Sequence, residues 1–483
     1  MKIAFVSSEI LPFAKTGGLA DVSGVLPRVL AQSGIEVTAF IPLYSQINKA
    51  KHNIRKIENI EPITLLYESE KFLIDLYTAK IPDSNVDTVF IDCPELYDRP
   101  TLYTLEPDEG KRFGLFNRAV MEAIIKLDLS LDIIHCNDWQ TGLIPYLLKE
   151  NYAGESVFKN TSSVFTIHNI AYQGIFSIDL IRGLSLNESY NYPMGPLEYF
   201  GKINFLKAGL VFADVITTVS ETYSKEILTE EFGAGMEGIL KERKNRLHGI
   251  LNGVDYNEWD PSKDKLIAKT FSVKNLSGKH ENKIKLLEKA GFHNSENIPL
   301  IGIVSRMVEQ KGTEIFIEIV DELMKHEMRF VVLGSGTKEY EQMYLSISKK
   351  YPDKFYIEFG YDNQLAHLIE AGSDIFLMPS RYEPCGLNQI YSLKYGTVPI
   401  VRFTGGLADT VHDSELLGEN GDTWTGFIFR EFSGSALLET ILRAIDTYND
   451  KTLWEKIMIN GMEKDYSWER SAQKYIDIYK KLT

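Results

Sequence analysis

A hexapeptide that occurs twice is the most chemically suggestive feature of the chain. Thr16-Gly-Gly-Leu-Ala-Asp21 recurs letter for letter as Thr404-Gly-Gly-Leu-Ala-Asp409. Bare glycine amides beside a helix start can hold anionic groups, so the two copies read as glycine loops facing one crevice. Two merely similar turns is the plainer alternative. Lys15 adjoins the first copy. Ser305-Arg306 ends an apolar run, and Lys311-Gly-Thr313 opens the next helical pattern. An Arg at a strand end and a Lys at a helix start both sit at the mouth of an α/β crevice, where ligands bind. A Lys there opposes the helix dipole, and a local rule broken at such a mouth favours function over packing. Glu383 precedes Pro384 and is biased to extended backbone. It reads as a site carboxylate or as a solvated loop charge.

Other motifs carry less. Gly233-Ala-Gly-Met-Glu-Gly238 matches the dinucleotide fingerprint, with Asp255 near the expected offset, but its flank Ile227-Leu-Thr-Glu-Glu-Phe232 is no buried strand. Gly334-Ser-Gly336 follows a convincing strand and lacks a third glycine; such a turn brings backbone close to a ligand. Neither a P-loop nor a hydrolase elbow occurs. The nine histidines form no zinc-binding spacing. No Asp-x-Asp pair is present to hold a divalent cation on a nucleotide diphosphate. Any phosphate neutralisation therefore falls to protein cations. Cys385 reads as a small buried residue, since nothing beside it would lower its pKa.

These groups need a scaffold, and the rest of the sequence supplies one. With 44% hydrophobic and 25% charged residues in 483, a large core is available. Lys and Arg number 52 against 67 Asp and Glu, a net charge of −15 that disfavours nucleic acid and anionic membranes. No apolar run approaches the roughly 20 residues of a membrane span. The N-terminus reads as a buried strand, and three cysteines without C-x-x-C suit a reducing cytoplasm. Strand-like runs at 3–6, 35–41, 88–91, 133–135, 163–167 and 215–219, several of them apolar at consecutive positions, alternate with helical patterns at 22–32 and 113–127. A second series runs through 300–304, 330–333, 355–358, 375–378 and 398–401, with helices at 313–325 and 387–394. This is the α/β signature of parallel sheets covered on both faces. Residues 44–85 read as a polar, irregular insertion, and 252–282 as a turn-rich linker. The boundary is placed near 253, giving domains of 1–252 and 253–466. Trp468, Ala472, Tyr475 and Tyr479 give 467–483 an apolar face that must pack on something.

The ordered set Lys15–Val22, His135-Cys-Asn-Asp-Trp-Gln140, Phe165–Gly174, Gly249–Asp255, Ser305–Gly312 and Glu383-Pro-Cys-Gly-Leu387 through Gly405–Asp409 resembles bacterial glycogen synthases and plant starch synthases. The resemblance spans the chain. It implies the GT-B fold: two Rossmann-like domains, a deep interdomain cleft holding the site, and a terminal helix packed back on the first domain. It implies transfer of glucose from ADP-glucose to the non-reducing end of an α-1,4-glucan primer, glycogen or starch, with retention of configuration. No metal and no cofactor is implied, nor any nucleic-acid or membrane partner.

By the same resemblance, Arg306 and Lys311 are the diphosphate cations and Lys15 a further phosphate contact across the cleft. Gly17 and Gly18 let backbone approach the donor, and Thr404, Gly405 and Gly406 supply matching contacts. Glu383 holds the transferred glucose and opposes charge at C1. His168 lies near the sugar's 6-hydroxyl, Asn252 is a sugar ligand, and Tyr361 stacks on adenine. Asp21 is a donor-side and Asp138 an acceptor-side motif position. Where many relatives have a second glutamate in E-x7-E, this chain has Tyr391. Retention implies either front-face attack or a covalent intermediate on Glu383. A donor other than ADP-glucose, such as UDP-glucose, a small acceptor, or a non-catalytic glycan-binding relative are the competing readings. Pyridoxal-dependent phosphorolysis would need a Schiff-base lysine, for which no motif is present.

Overall fold

The computed structural model describes residues 1–104, 106–418 and 422–483. The chain divides into two compact units: Met1–Gly253 with Trp468–Thr483, and Val254–Ser467.

Among the described residues, the first unit is built on a ten-stranded sheet. Its parallel part runs, edge to edge, Leu247–Gly249, Val215–Thr218, Ser162–Ile167, Ile133–Asn137, Lys2–Val6, Glu36–Pro42 and Asp87–Asp92. Strand order reverses between Lys2–Val6 and Ile133–Asn137, the point where ligands bind in such sheets. Ile3, Ala4, Phe5 and Val6 are all fully buried, which is why this segment is continuously apolar. The segment 44–85 is not irregular. Ile63–Tyr67 and Glu70–Lys80 form an antiparallel hairpin, and Glu70–Lys80 extends the sheet by pairing antiparallel with Asp87–Asp92. Burial alternates along it, with Ile63 and Leu65 inside and Leu73 outside, so the strand carries polar residues on its wet face.

Helix Trp468–Leu482 belongs to this unit and turns Trp468, Ala472, Tyr475 and Tyr479 inward. The Tyr479 hydroxyl lies 2.7 Å from Nδ1 of the fully buried His135, whose Nε2 lies 2.6 Å from Thr166 Oγ1. Burial pulls the His135 imidazole down to about 3, so it sits there neutral.

The second unit holds six parallel strands among the described residues. Their order is Phe355–Phe359, Arg329–Gly334, Leu300–Val304, Ile375–Met378, Val398–Arg402 and Phe427–Phe429. Numbered along the chain this is 3-2-1-4-5-6, the doubly wound Rossmann order, with its switch between Leu300–Val304 and Ile375–Met378. The linker-like stretch after Gly253 ends in helix Ser277–Ala290, closed by Gly291 at φ 76. Phe316, Phe330, Phe355 and Trp454 form part of the core on one face. No described helix is long and apolar enough to cross a membrane.

Candidate active site

In the second unit, three chain segments converge at the carboxyl ends of the two switch-point strands. After Leu300–Val304 the backbone runs through Ser305, Arg306 and Met307. It is clamped there, because a Cβ on Gly334 would lie 1.9 Å from Ser305 O and one on Gly336 1.9 Å from Met307 O. The Met307 amide donates to Ser335 O at 2.8 Å. The Gly334-Ser-Gly336 turn thus brings backbone against backbone and fixes the approach of Arg306. The Arg306 guanidinium donates to Gln310 Oε1 at 3.3 Å. Lys311 ends a single 3₁₀ turn just before Gly312, whose φ of 71 a side chain would resist. Gly312 also passes so close to Pro379 O that a Cβ would stand 1.9 Å away.

After Ile375–Met378 comes Glu383, only 6% exposed, so the solvated-loop alternative does not hold. Its Oε2 accepts from Lys311 Nζ at 2.5 Å and from Ser380 Oγ at 3.1 Å. A carboxylate this buried needs such partners. The second hexapeptide locks the same loop from behind. Gly405 has φ 45, and Cβ atoms on Gly405 and Gly406 would stand 1.9 Å from Glu383 O and 2.0 Å from Cys385 O. The Gly406 amide donates to Glu383 O at 3.2 Å, and Thr404 is fully buried. Cys385 is likewise buried. Arg306, Lys311, Glu383, Gly405 and Gly406 are therefore parts of one assembly.

Tyr361 stands apart, 80% exposed after strand Phe355–Phe359 and Gly360, its hydroxyl donating to Asn363 Oδ1 at 2.9 Å. Tyr391, at the position of the missing glutamate, lies flat on Trp259, with ring centroids 3.9 Å apart.

The first unit presents its own set beyond Lys2–Val6. The first glycine loop is hung on Glu9, a residue that motif reading passes over. Glu9 is 3% exposed, and its carboxylate accepts from Thr16 N at 2.5 Å, Thr16 Oγ1 at 2.7 Å, Gly17 N at 3.1 Å and Tyr103 OH at 2.7 Å. Position was the available signal: Glu9 lies three residues beyond the first strand. The loop then enters helix Gly18–Gln32. The identical hexapeptides use their glycines differently. A Cβ on Gly17 or Gly18 would meet nothing within 4 Å, so packing does not demand glycine there. Lys15 Nζ donates to Asp21 Oδ1 at 2.6 Å. Burial raises the Asp21 carboxyl, against the lowering pull of Lys15.

At the end of Ile133–Asn137, Asp138 has φ 56 and ψ −178, a conformation that costs a non-glycine residue about 1–3 kcal/mol. Several bonds hold it. Its amide donates to Thr166 O at 2.9 Å, its carbonyl accepts from Thr141 N at 3.1 Å, and its carboxylate accepts from His168 N at 2.7 Å. Burial pushes the Asp138 carboxyl up to about 7, against amide bonds from His168 and Asn169 that favour the charged form. Asn137 Nδ2 donates to Val6 O at 3.0 Å, so its Oδ1 accepts the His168 Nε2 proton at 2.9 Å. Burial holds the His168 imidazole neutral, pulled down to about 3. Asn252 is 6% exposed, and its buried Oδ1 has no hydrogen-bond partner among the described residues. Asp21, Asp138, His168 and Asn252 thus all lie in the first unit.

The likenesses to known proteins agree with this layout. The family model for the starch synthase catalytic domain matches residues 2–242, and that for group 1 glycosyl transferases matches 287–457. A glycogen synthase from Koribacter versatilis is 46% identical over 100% of this chain and 98% of its own length. One from Thermotoga maritima is 42% identical over 100% and 99%. The catalytic domain of starch synthase IV from Arabidopsis thaliana, solved bound to ADP and acarbose, superposes with a TM-score of 0.92 at 30% identity, covering 99% of each chain. A sucrose-phosphate synthase from Thermosynechococcus elongatus shares the fold at a TM-score of 0.61 and 17% identity. With full-length identity to glycogen synthases and the GT-B fold of a starch synthase, this chain belongs to the glycogen synthase family of retaining glucosyltransferases.

Proposed function

We propose that the protein transfers glucose from ADP-glucose to the non-reducing end of an α-1,4-glucan, with the second unit holding the donor and the first the acceptor. The observation that carries this is the pairing of Lys311 with the buried Glu383 beside Arg306 at the strand switch point. Arg306 and Lys311 hold the diphosphate and stabilise charge on the departing ADP. Preorganised cations do this at no reorganisation cost when the bond breaks. Lys15 is a further phosphate partner, and the open space at Gly17 and Gly18 lets phosphate approach their amides. Thr404, Gly405 and Gly406 brace Glu383 and face the donor.

Glu383 binds the hydroxyls of the transferred glucose and opposes positive charge at C1. Its Oε2 already carries Lys311 and Ser380, and a carboxylate so paired is a poor nucleophile. This favours front-face attack, with the leaving phosphate accepting the acceptor's hydroxyl proton. Neutral His168 and the ionised Asp138 carboxylate orient the acceptor-side sugar, and the unpartnered Asn252 Oδ1 takes a sugar hydroxyl. Tyr361 offers an exposed ring for adenine to stack on. The ADP and acarbose bound to the similar starch synthase support an adenine nucleotide and a glucan-like ligand. Three buried free cysteines suit a reducing cytoplasm.

The test compares ADP-glucose with UDP-glucose, with EDTA present and with or without glycogen, following nucleotide release and label entering polymer. Glycogen-dependent ADP release with polymer labelling is expected. Turnover of UDP-glucose alone would overturn the donor assignment, and turnover of neither would leave a non-catalytic glycan binder.

A further inference from the structure

Helix Asn388–Lys394 follows the loop that carries Glu383, and its first two side chains both reach the backbone of the site. Asn388 Nδ2 donates to Val304 O at 2.8 Å, on the last residue of the strand that leads into Arg306. Gln389 is fully buried. Its Nε2 donates toward Cys385 O at 3.1 Å, Gly386 O at 3.0 Å and Thr410 Oγ1 at 3.2 Å. The Thr410 hydroxyl in turn donates to Gly406 O at 2.6 Å. One amide thus joins the backbone just past Glu383 to the short helix Gly405–Thr410 of the second hexapeptide.

Chemistry fixes which way this amide faces. Turned over, it would set its oxygen against two carbonyls and a hydroxyl whose proton already goes to Gly406 O. The orientation that satisfies those oxygens leaves Oε1 buried with no hydrogen-bond partner among the described residues. It lies against Gly386, at φ 71, where a Cβ would stand 2.5 Å from it. For packing alone an apolar side chain of the same length would serve better, because it orphans no acceptor. What the amide supplies is a hold on the loop. Residues 379–387 form neither helix nor strand. The direct backbone ties from the hexapeptide, Gly406 N to Glu383 O and to Pro384 O, are both 3.2 Å and share one proton.

We propose that Gln389 is a positioning residue for the transfer: its amide fastens the loop past Glu383 to the second hexapeptide and so sets where the Glu383 carboxylate stands against the transferred glucose. The inference rests on the role given above to Glu383. Lys311 and Ser380 hold the carboxylate itself, and Gln389 holds the backbone that bears it. Gln389 acts through that loop and touches no substrate. A misplacement of about 1 Å at a reacting group costs up to about a hundredfold in rate, so a bond made outside the reacting groups can weigh on kcat.

The experiment compares wild type, Gln389→Met and Gln389→Glu. Methionine keeps the length and the burial but has no N–H to give. Gln389→Met should lower kcat with ADP-glucose and glycogen roughly ten- to a hundredfold, while the KM for glycogen and the Kd for ADP, which has no glucose for Glu383 to hold, stay within about threefold. In Gln389→Glu an ionised carboxylate repels the loop carbonyls, and its protonated form can again donate one hydrogen bond. Burial favours the protonated form, so kcat relative to wild type should rise as pH falls from about 8 to about 6. A packing role would give no such recovery. Amide exchange supplies a readout that needs no turnover: Gln389→Met should speed exchange in peptides covering 383–388 and 404–410 and leave 300–304 unchanged. A Gln389→Met kcat within about twofold of wild type, a loss of ADP binding as large as the loss of kcat, or a Gln389→Glu ratio flat with pH would overturn the proposal. If wild type turns over no donor, the reading of Glu383 fails by itself, and the exchange rates still decide whether Gln389 holds the loop.

Discussion

Asp138 and His168 show how burial divides labour between neighbouring groups. The Asp138 carboxyl, raised to about 7, titrates in the working range, whereas His168, lowered to about 3, stays neutral. An acid limb near pH 7 in the rate profile is therefore expected. It should vanish in Asp138→Asn, which tolerates the same backbone, and persist in His168→Asn. Stability follows linkage. Asp138 keeps in the fold a proton that the unfolded chain releases at its ordinary 3.8, so its contribution is full below that value and lost as pH rises through about 7. His168 and His135 act oppositely, their contribution present above 6.5 and lost as pH falls toward about 3. Melting temperatures of wild type and Asp138→Asn between pH 5 and 8 should show wild type losing ground to the variant as pH rises. Glu9 anchors Lys15's loop without being placed on substrate. Glu9→Gln keeps the shape but cannot accept every donor it now faces. It should raise the KM for ADP-glucose, and weaken ADP measured by calorimetry, more than it changes the KM for glycogen.

At the scale of elements, the twin hexapeptides make contrasting predictions. Gly406→Ala drives a methyl into Cys385 O and should destabilise by about 1–3 kcal/mol, displacing Glu383 and lowering activity. Gly17→Ala has room at an extended φ of −156, so melting should shift little while donor binding weakens. Thermal melts and ADP titrations of the two variants separate these outcomes. Sequence alone shows that the hexapeptide matters but not that its copies do different work, because that depends on a carbonyl some twenty residues upstream. The parallel strands are legible because burial on both faces leaves unbroken apolar runs such as Ile3–Val6. The hairpin at 63–80 is not, since its wet face carries Thr64, Lys71 and Asp75 and so breaks up any continuous apolar run. Arg306, Lys311 and Glu383 could be singled out by type and place, but their pairing could not. Glu9 escaped because its partners lie 7, 8 and 94 residues away.

For the molecule as a whole, the two units carry separate cores, and the first needs the chain's last helix. Removing the Tyr479 hydroxyl in Tyr479→Phe leaves a buried His135 nitrogen unsatisfied and should cost about 1–3 kcal/mol, read by calorimetry as a lowered transition of the first unit. The proposed transfer turns, however, on Arg306 and Lys311 stabilising charge on the departing diphosphate. The most direct test is steady-state kinetics of Arg306→Ala and Lys311→Ala with ADP-glucose and glycogen. The expected kcat is lower by on the order of 10²–10³ for either variant, with the KM for glycogen changed far less. A kcat within threefold of wild type in both variants would contradict it, and the cations at the switch point would then serve only to hold Glu383 and its loop.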